Sequence, residues 1–280
     1  MADNEKTGWE REYRTHFDEN VVNYDKVRWE YPNELYADIF EYAEGVKDKK
    51  AIEIGAGTGK ATTPFLEADC DVTAVEMSAN MAAFLIEKYT SYATFRVIVD
   101  TFENVSLEES SYDIIYAASA FHWVDAQIGC PKSYRLLKNG GVFALFRNNA
   151  VTANDDKLYE VSQALYDKHY YSYYKRDNRS IPIAKMTYDD FLNPMELHRG
   201  FRLEGLEQFG FRDITMKLYD ATISYSADDY VSLLDTYSDH KALPEENRAA
   251  LYSGIRNAIL NHGGQQKLNC IYQLYMGRKP

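Results

Sequence analysis

Basic charge is what this 280-residue chain has too little of: 31 Lys and Arg stand against 43 Asp and Glu, a net of −12. The acidic excess holds in residues 1–50, in 51–150 and in 151–280, so no region offers the cationic face that nucleic acid or an anionic membrane requires. Neither is an expected partner. Cysteine is equally scarce. Cys70, Cys130 and Cys270 are far apart and odd in number, which excludes a disulfide framework and a paired redox motif. A reducing, cytoplasmic setting is the expectation. Long apolar runs are missing too. The longest nearly apolar stretch, Ile114–Val124, contains His122 and falls well short of the roughly 20 residues of a membrane span. The opening residues, MADNEKTGWERE, lack the apolar core of a secretory leader, and none is expected. His16, His169, His198 and His262 are scattered without metal-ligand spacing, so no metal is expected.

What is present is ordinary globular composition, 45% apolar and 26% charged. The length suits one large domain or two small ones. Tyrosine alone is abundant, at 24, many of them in the run Tyr166, Tyr170, Tyr171, Tyr173 and Tyr174. An aromatic-rich amphipathic helix accounts for that run.

Residues 8–45 carry helical spacing, with Trp9, Tyr13, His16 and Phe17, then Leu35, Ile39 and Tyr42, divided at Pro32. Five short β-prone runs follow at 51–54, 71–76, 94–99, 112–119 and 141–146. Helical patterns at 78–89 and 125–137 fall between them, the second stopping at Asn139-Gly140-Gly141. Strands alternating with helices in this way predict crossover units and a buried parallel sheet. After Asn149 the rhythm breaks. Residues 153–210 read as helices and loops, including 158–174 and 187–192. A strand at 211–225 follows, then a helix capped by Ser226, a helix opened by Pro244 and stopped at Gly263-Gly264, and a final strand at 267–276.

The sharpest signal is Glu53-Ile-Gly55-Ala-Gly57-Thr-Gly59, directly after a β-prone run and before a helix. Glycines let a backbone turn tightly and approach a ligand. Parallel sheets bind their ligands at the carboxyl ends of the strands, where this loop falls. The dinucleotide fingerprint needs glycine at position 60, which is Lys60, and no G-K-[ST] phosphate loop follows. Glu53 is costly in a buried strand unless a polar partner meets it. It suits a cationic amino group better than a pyrophosphate. Glu76 closes the next strand at the spacing where an acid meets ribose hydroxyls, and Asp100 closes the third, where a carboxylate can accept from an adenine amino group. Each acid alone reads equally well as a solvated loop residue; together, at three successive strand ends, they favour a site.

On these residues the sequence resembles the class I S-adenosylmethionine-dependent methyltransferases. Ala51–Gly59 (AIEIGAGTG) is similar to that family's first motif, with Glu76 at its ribose contact and Asp100 at its adenine-side acid. Ser119–Val124 (SAFHWV) resembles the small-molecule subgroup that includes trans-aconitate methyltransferase-like (type 11) proteins. So do Phe17-Asp18, Tyr24, Arg28 and Tyr31-Pro32 in a lid-like N-terminal segment, and Asp235–His240 through Arg248. The resemblance implies a Rossmann-like α/β fold with a seven-stranded, mostly parallel sheet, an antiparallel last strand inserted between the fifth and sixth, and a helical insertion or cap. It implies a helical lid over 1–45, the cofactor-binding core over 46–150, the cap over 151–210 and the C-terminal completion of the sheet over 211–280. It implies S-adenosyl-L-methionine as cofactor, bound by Tyr24, Arg28, Glu53, Gly55, Ala56, Gly57, Thr58, Gly59, Glu76, Met77, Asp100, Thr101, Phe102, Ser119 and Trp123. The expected partner is a small-molecule methyl acceptor, and a monomer or homodimer is expected.

Methyl transfer from a sulfonium needs alignment above all, and a base only where the acceptor must lose a proton. His122 has the pKa range for that base, although packing beside Trp123 is the plainer account of it. Arg28 can clamp a carboxylate, or pair at the surface with Asp25 or Glu30. Arg147 and Asn148, after the fifth strand, face the pocket in this reading. The tyrosine-rich segment covers the acceptor. His240, with Tyr237, is a further candidate pocket residue, although an exposed histidine at a helix end is the plainer account and the expectation. A nicotinamide-dependent oxidoreductase and a non-catalytic cofactor-binding protein are the alternatives.

Overall fold

Apolar runs such as Ala51–Ile54 and Val72–Val75 are buried along their whole length, which is what a parallel sheet covered on both faces demands of its strands. The computed structural model describes residues 20–152, 156–174 and 205–280. In chain order the elements are α1 (Val21–Val27), α2 (Asn33–Tyr42), β1 (Lys50–Ile54), α3 (Thr62–Glu67), β2 (Asp71–Glu76), α4 (Ala79–Lys88), β3 (Phe95–Val99), β4 (Tyr112–Ala118), α5 (Ala126–Leu136) and β5 (Leu137–Thr152). There follow α6 (Asp156–His169), α7 (Gly205–Gln208), β6 (Arg212–Ser226), α8 (Ala227–Leu234), α9 (Ser238–Lys241), α10 (Glu245–Asn261) and β7 (Gln265–Arg278). The expected helix at 187–192, together with Phe17 and Asp18, lies outside the described residues.

The seven strands run in the order β3-β2-β1-β4-β5-β7-β6. The first five pair in parallel, with Ile52 beside Thr73 on one side and Ile115 on the other. The last strand is antiparallel and lies between the fifth and sixth, as the resemblance implies. Lys279 and the Gly140-Gly141 pair exchange backbone hydrogen bonds of 2.8 and 2.9 Å across that junction. β5 is longer than the predicted 141–146. Its first residue already pairs with Tyr112, and the Asn139-Gly140-Gly141 turn is absorbed as a register shift before Val142.

The chain forms two compact units. Residues 29–149, 187–220 and 271–280 make the sheet unit, whose core joins Ile52, Ile54, Ile115, Phe121, Phe143, Leu145 and Phe211. Fully burying side chains of this size contributes about 1.5–3 kcal/mol each. Residues 1–28, 150–186 and 221–270 make the other unit, with a core of Leu158, Tyr170, Tyr174, Leu234, Leu251, Ile255 and Ile259 drawn from α6 and the turn after it, α8 and α10.

His240 is not exposed. It is 3% accessible, and the rings of Tyr166, Tyr170, Tyr237 and Tyr252 stand 5.4–5.9 Å from it. The four-residue α9 is too short to offer a solvent face at its end, and both Ser238 and His240 turn into the core. Burial drives His240 below the ordinary histidine range, although Asp239 and Asp235 pull the other way.

Candidate functional site

After β1 the backbone turns through the left-handed region three times, at Gly55 (φ 65°), Gly57 (φ 57°) and Gly59 (φ 81°). A side chain at Gly55 would meet the Cβ of Ala120 at 2.7 Å, so glycine lets the ends of β1 and β4 close on each other. Gly57 differs, since nothing stands within 4 Å of where its Cβ would be. The loop is held from behind through its carbonyls. Lys88 Nζ donates to Thr58 O at 2.9 Å, Tyr89 OH to Gly59 O at 2.7 Å and Tyr36 OH to Lys60 O at 3.3 Å. Lys60, which stands where a dinucleotide loop would have glycine, pairs with Glu30 at 2.5 Å.

Three carboxylates surround this loop. Glu53, 1% accessible, accepts from Thr62 Oγ1 at 2.5 Å and from Tyr116 OH at 3.0 Å, both on Oε2. Burial pushes its pKa up from 4.5 to about 7, against the opposing pull of these two hydrogen bonds. Glu76 ties the loop to β2, accepting from the Gly57 N–H on Oε2 and from the Ser78 N–H on Oε1, both at 2.8 Å. Asp100 accepts from the N–H of Thr101 at 2.7 Å, and its own N–H donates to Glu76 O at 3.2 Å. Met77 and Thr101 are half-buried and Phe102 is buried. The ends of β1, β2 and β3 are thereby joined by direct hydrogen bonds.

At the end of β4, Ser119 takes a left-handed conformation (φ 50°), uncommon for a residue with a Cβ. Its hydroxyl accepts from Tyr31 OH at 2.8 Å and from the Asn148 N–H at 3.4 Å. A short 3₁₀ turn, Phe121–Trp123, follows, in which the His122 and Trp123 rings are tilted at 5.1 Å. Beside it on β5, Arg147 Nε and Asn149 Nδ2 both donate to Gln273 Oε1 at 2.9 Å. Thr58 Oγ1, both amide atoms of Asn148 and Gln273 Nε2 are buried without a hydrogen-bond partner. A polar atom left so costs about 1–3 kcal/mol, a cost that a bound ligand or water removes.

The sequence-derived residues Glu53, Gly55, Ala56, Gly57, Thr58, Gly59, Glu76, Met77, Asp100, Thr101, Phe102, Ser119, His122 and Trp123 all belong to the sheet unit. Tyr24 and Arg28 belong to the other. There Arg28 donates to Thr236 Oγ1 at 2.8 Å and to Thr236 O at 2.9 Å, with its guanidinium over the rings of Tyr24 and Tyr237 at 4.8 and 4.6 Å. Sequence reading missed Thr62, Tyr116 and Gln273. Tyr116 and Gln273 did carry a signal, as polar tips within the apolar stretches Ile114–Ala118 and Cys270–Met276 of their strands. Among the described residues, no three His, Cys, Asp or Glu side chains are grouped to hold a metal ion, and no helix is long and apolar enough to cross a membrane.

A Rossmann-like sheet with its polar groups gathered at the carboxyl ends of its parallel strands is the class that this geometry defines. Residues 52–145 match the model of a family described as a methyltransferase domain. An uncharacterised methyltransferase of Mycobacterium tuberculosis is 30% identical over 138 residues, covering 49% of this chain and 54% of that protein. A malonyl-acyl-carrier-protein O-methyltransferase of Pectobacterium atrosepticum is 33% identical over 119 residues, covering 41% and 43%. The chain thus spans about half the length of these curated relatives. A phosphoethanolamine N-methyltransferase 2 of Haemonchus contortus, solved with phosphomonomethylethanolamine and S-adenosylhomocysteine, shares the fold. Its TM-score is 0.53 at 16% identity, covering 98% of this chain and 60% of that one. The likeness to a methyltransferase domain thus lies in residues 52–145, which hold the glycine loop and the first five strands of the sheet but for the start of the first and the end of the fifth.

Proposed function

We propose that the protein binds S-adenosylmethionine and transfers its methyl group to a small-molecule acceptor, at a carboxylate oxygen. The observation that carries this reading is the set of carboxylates, Glu53, Glu76 and Asp100, at three successive strand ends around a glycine loop with open space at Gly57. The residues present suit the cofactor. Glu76, which accepts the Gly57 and Ser78 N–H groups, stands at the strand end where an acid would meet ribose hydroxyls. Glu53 is a buried acid poised to ionise beside an ammonium. Asp100 and Thr101 would meet the adenine, with Met77, Phe102 and Trp123 as its apolar neighbours. Ala56, Gly57, Thr58 and Gly59 would supply the close backbone approach, and Ser119 would meet the carboxylate end.

When bound, the cofactor supplies a methyl group already activated on sulfur, which leaves the chain to align it and exclude water. A carboxylate acceptor has no proton to lose and needs orientation rather than a base. His122 serves as base only for an acceptor protonated at neutral pH. The Pectobacterium relative's name describes O-methylation of a malonyl group, a reaction compatible with a carboxylate oxygen as acceptor. In this reading residues 1–45 act as a lid and 151–210 as a cap.

The test is calorimetric titration with S-adenosylhomocysteine, with NADH in a parallel cell. Micromolar binding of the first alone is expected. Binding of NADH alone would overturn the reading in favour of an oxidoreductase.

A further inference from the structure

The polar cluster on β5 and β7 is not used by anything described so far. Gln273 is fully buried, 0% accessible, in the middle of β7. Its two amide atoms can be told apart by their neighbours. One receives N–H groups from both Arg147 and Asn149, so it is the oxygen. The Asn149 amide is fixed in turn, because the same nitrogen donates to the carbonyl of Ile271 at 3.2 Å. The remaining atom of Gln273 is therefore an NH2 donor, and it is buried without an acceptor. A methionine or leucine would fill this position with no polar group to satisfy.

The cluster stands next to the strand-end site and in the same unit. Asn148, between Arg147 and Asn149, gives its backbone N–H to Ser119, the left-handed residue that ends β4. The chemistry on offer is an amide donor with a guanidinium bonded to the same side chain. That combination recognises an oxygen acceptor and favours one carrying negative charge. It does not suit an ammonium or a hydrocarbon.

We infer that Gln273, backed by Arg147, anchors a carboxylate of the methyl acceptor, the buried N–H2 of Gln273 donating to it. The inference rests on the methyltransferase reading and deepens it, since it assigns acceptor recognition to a residue far along the chain from the glycine loop. Gln273 acts here as a specificity residue, with no part in bond making.

The discriminating variant is Gln273→Glu. It keeps an oxygen for Arg147 and Asn149 and exchanges the unmet donor for a second acceptor that carries negative charge. The protein is first titrated with S-adenosylhomocysteine. The saturated complex is then titrated with glutarate and with tricarballylate, and in parallel with glutaramide. The expected result is binding of at least one of the acids by the wild-type complex, tighter than glutaramide. Gln273→Glu should lose that affinity at least tenfold while binding S-adenosylhomocysteine within twofold of wild type. Gln273→Met serves as the second variant should the glutamate chain fail to fold, with the same loss expected. Failure of S-adenosylhomocysteine to bind would bring down the methyltransferase reading and this inference with it. Retained S-adenosylhomocysteine binding with no acid bound, or with acid bound equally by the variant, overturns the inference alone and leaves the Gln273 donor to ordered water.

Discussion

Glu53 is a carboxylate whose environment favours its proton. Because burial raises its pKa from 4.5 to about 7, folding takes up a proton in that interval. Stability should therefore fall as pH rises from about 4.5 to about 7, by up to about 3 kcal/mol from this residue. Glu53→Gln should lose that slope in denaturant titrations across the interval, and an unchanged slope would show that Glu53 titrates normally. Glu76 acts through hydrogen bonds, accepting from two backbone N–H groups. Glu76→Ala should weaken S-adenosylhomocysteine binding by about 1–3 kcal/mol. It should also lower the melting temperature by orphaning the amides of Gly57 and Ser78. Unchanged affinity in a calorimeter would remove it from the ligand site. At Gly55, a methyl group meets both the Ala120 side chain and a left-handed backbone. Gly55→Ala should cost more than about 1 kcal/mol in chemical denaturation and abolish ligand binding. A variant as stable as the parent would mean that the loop relaxes freely.

Short elements carry the second pH response. His240, on the four-residue α9, is held neutral by burial. The unfolded chain binds a proton below about pH 6.5, where the folded one resists it, so this residue's contribution to stability is lost as pH falls through the lowered folded value. His240→Gln should flatten the acid side of the stability profile, and an unaltered profile would place that loss elsewhere. Elements were also where sequence reading did best. Ser78 and Ser226 accept the expected cap hydrogen bonds from Met81 and Asp229, because capping is a local contest between neighbouring groups. Pro244 sits one position outside α10, as its cap, rather than in the first turn. What local pattern does not record is pairing between distant segments. The insertion of β7 beside β5 came from the resemblance, and the register shift at Gly140-Gly141 came from neither. The same holds within the site. Glu53, Gly55 and Glu76 were legible because spacing along strand and turn fixes them. Thr62, Tyr116 and Gln273 matter through the side chains that the sheet brings beside them, and no spacing rule describes that.

On the scale of the whole chain, the three cysteines are all buried, two in the sheet unit and Cys270 in the other. Burial pushes the Cys70 and Cys130 thiols up to about 12, which leaves almost no thiolate at neutral pH. Alkylation of the native protein at pH 7.5, mapped by peptide mass, should leave all three unmodified over minutes. Under increasing denaturant, the order in which Cys270 and the other two become labelled reports which unit opens first. Rapid labelling of Cys70 in the native state would contradict its burial. The glycine loop has a consequence of a different kind. Its bends are closed and its carbonyls held by Lys88, Tyr89 and Tyr36, so little of the loop is left to order when a ligand arrives. The loop itself then adds no ordering step to capture, and residence time is set by how many of the waiting groups the ligand satisfies.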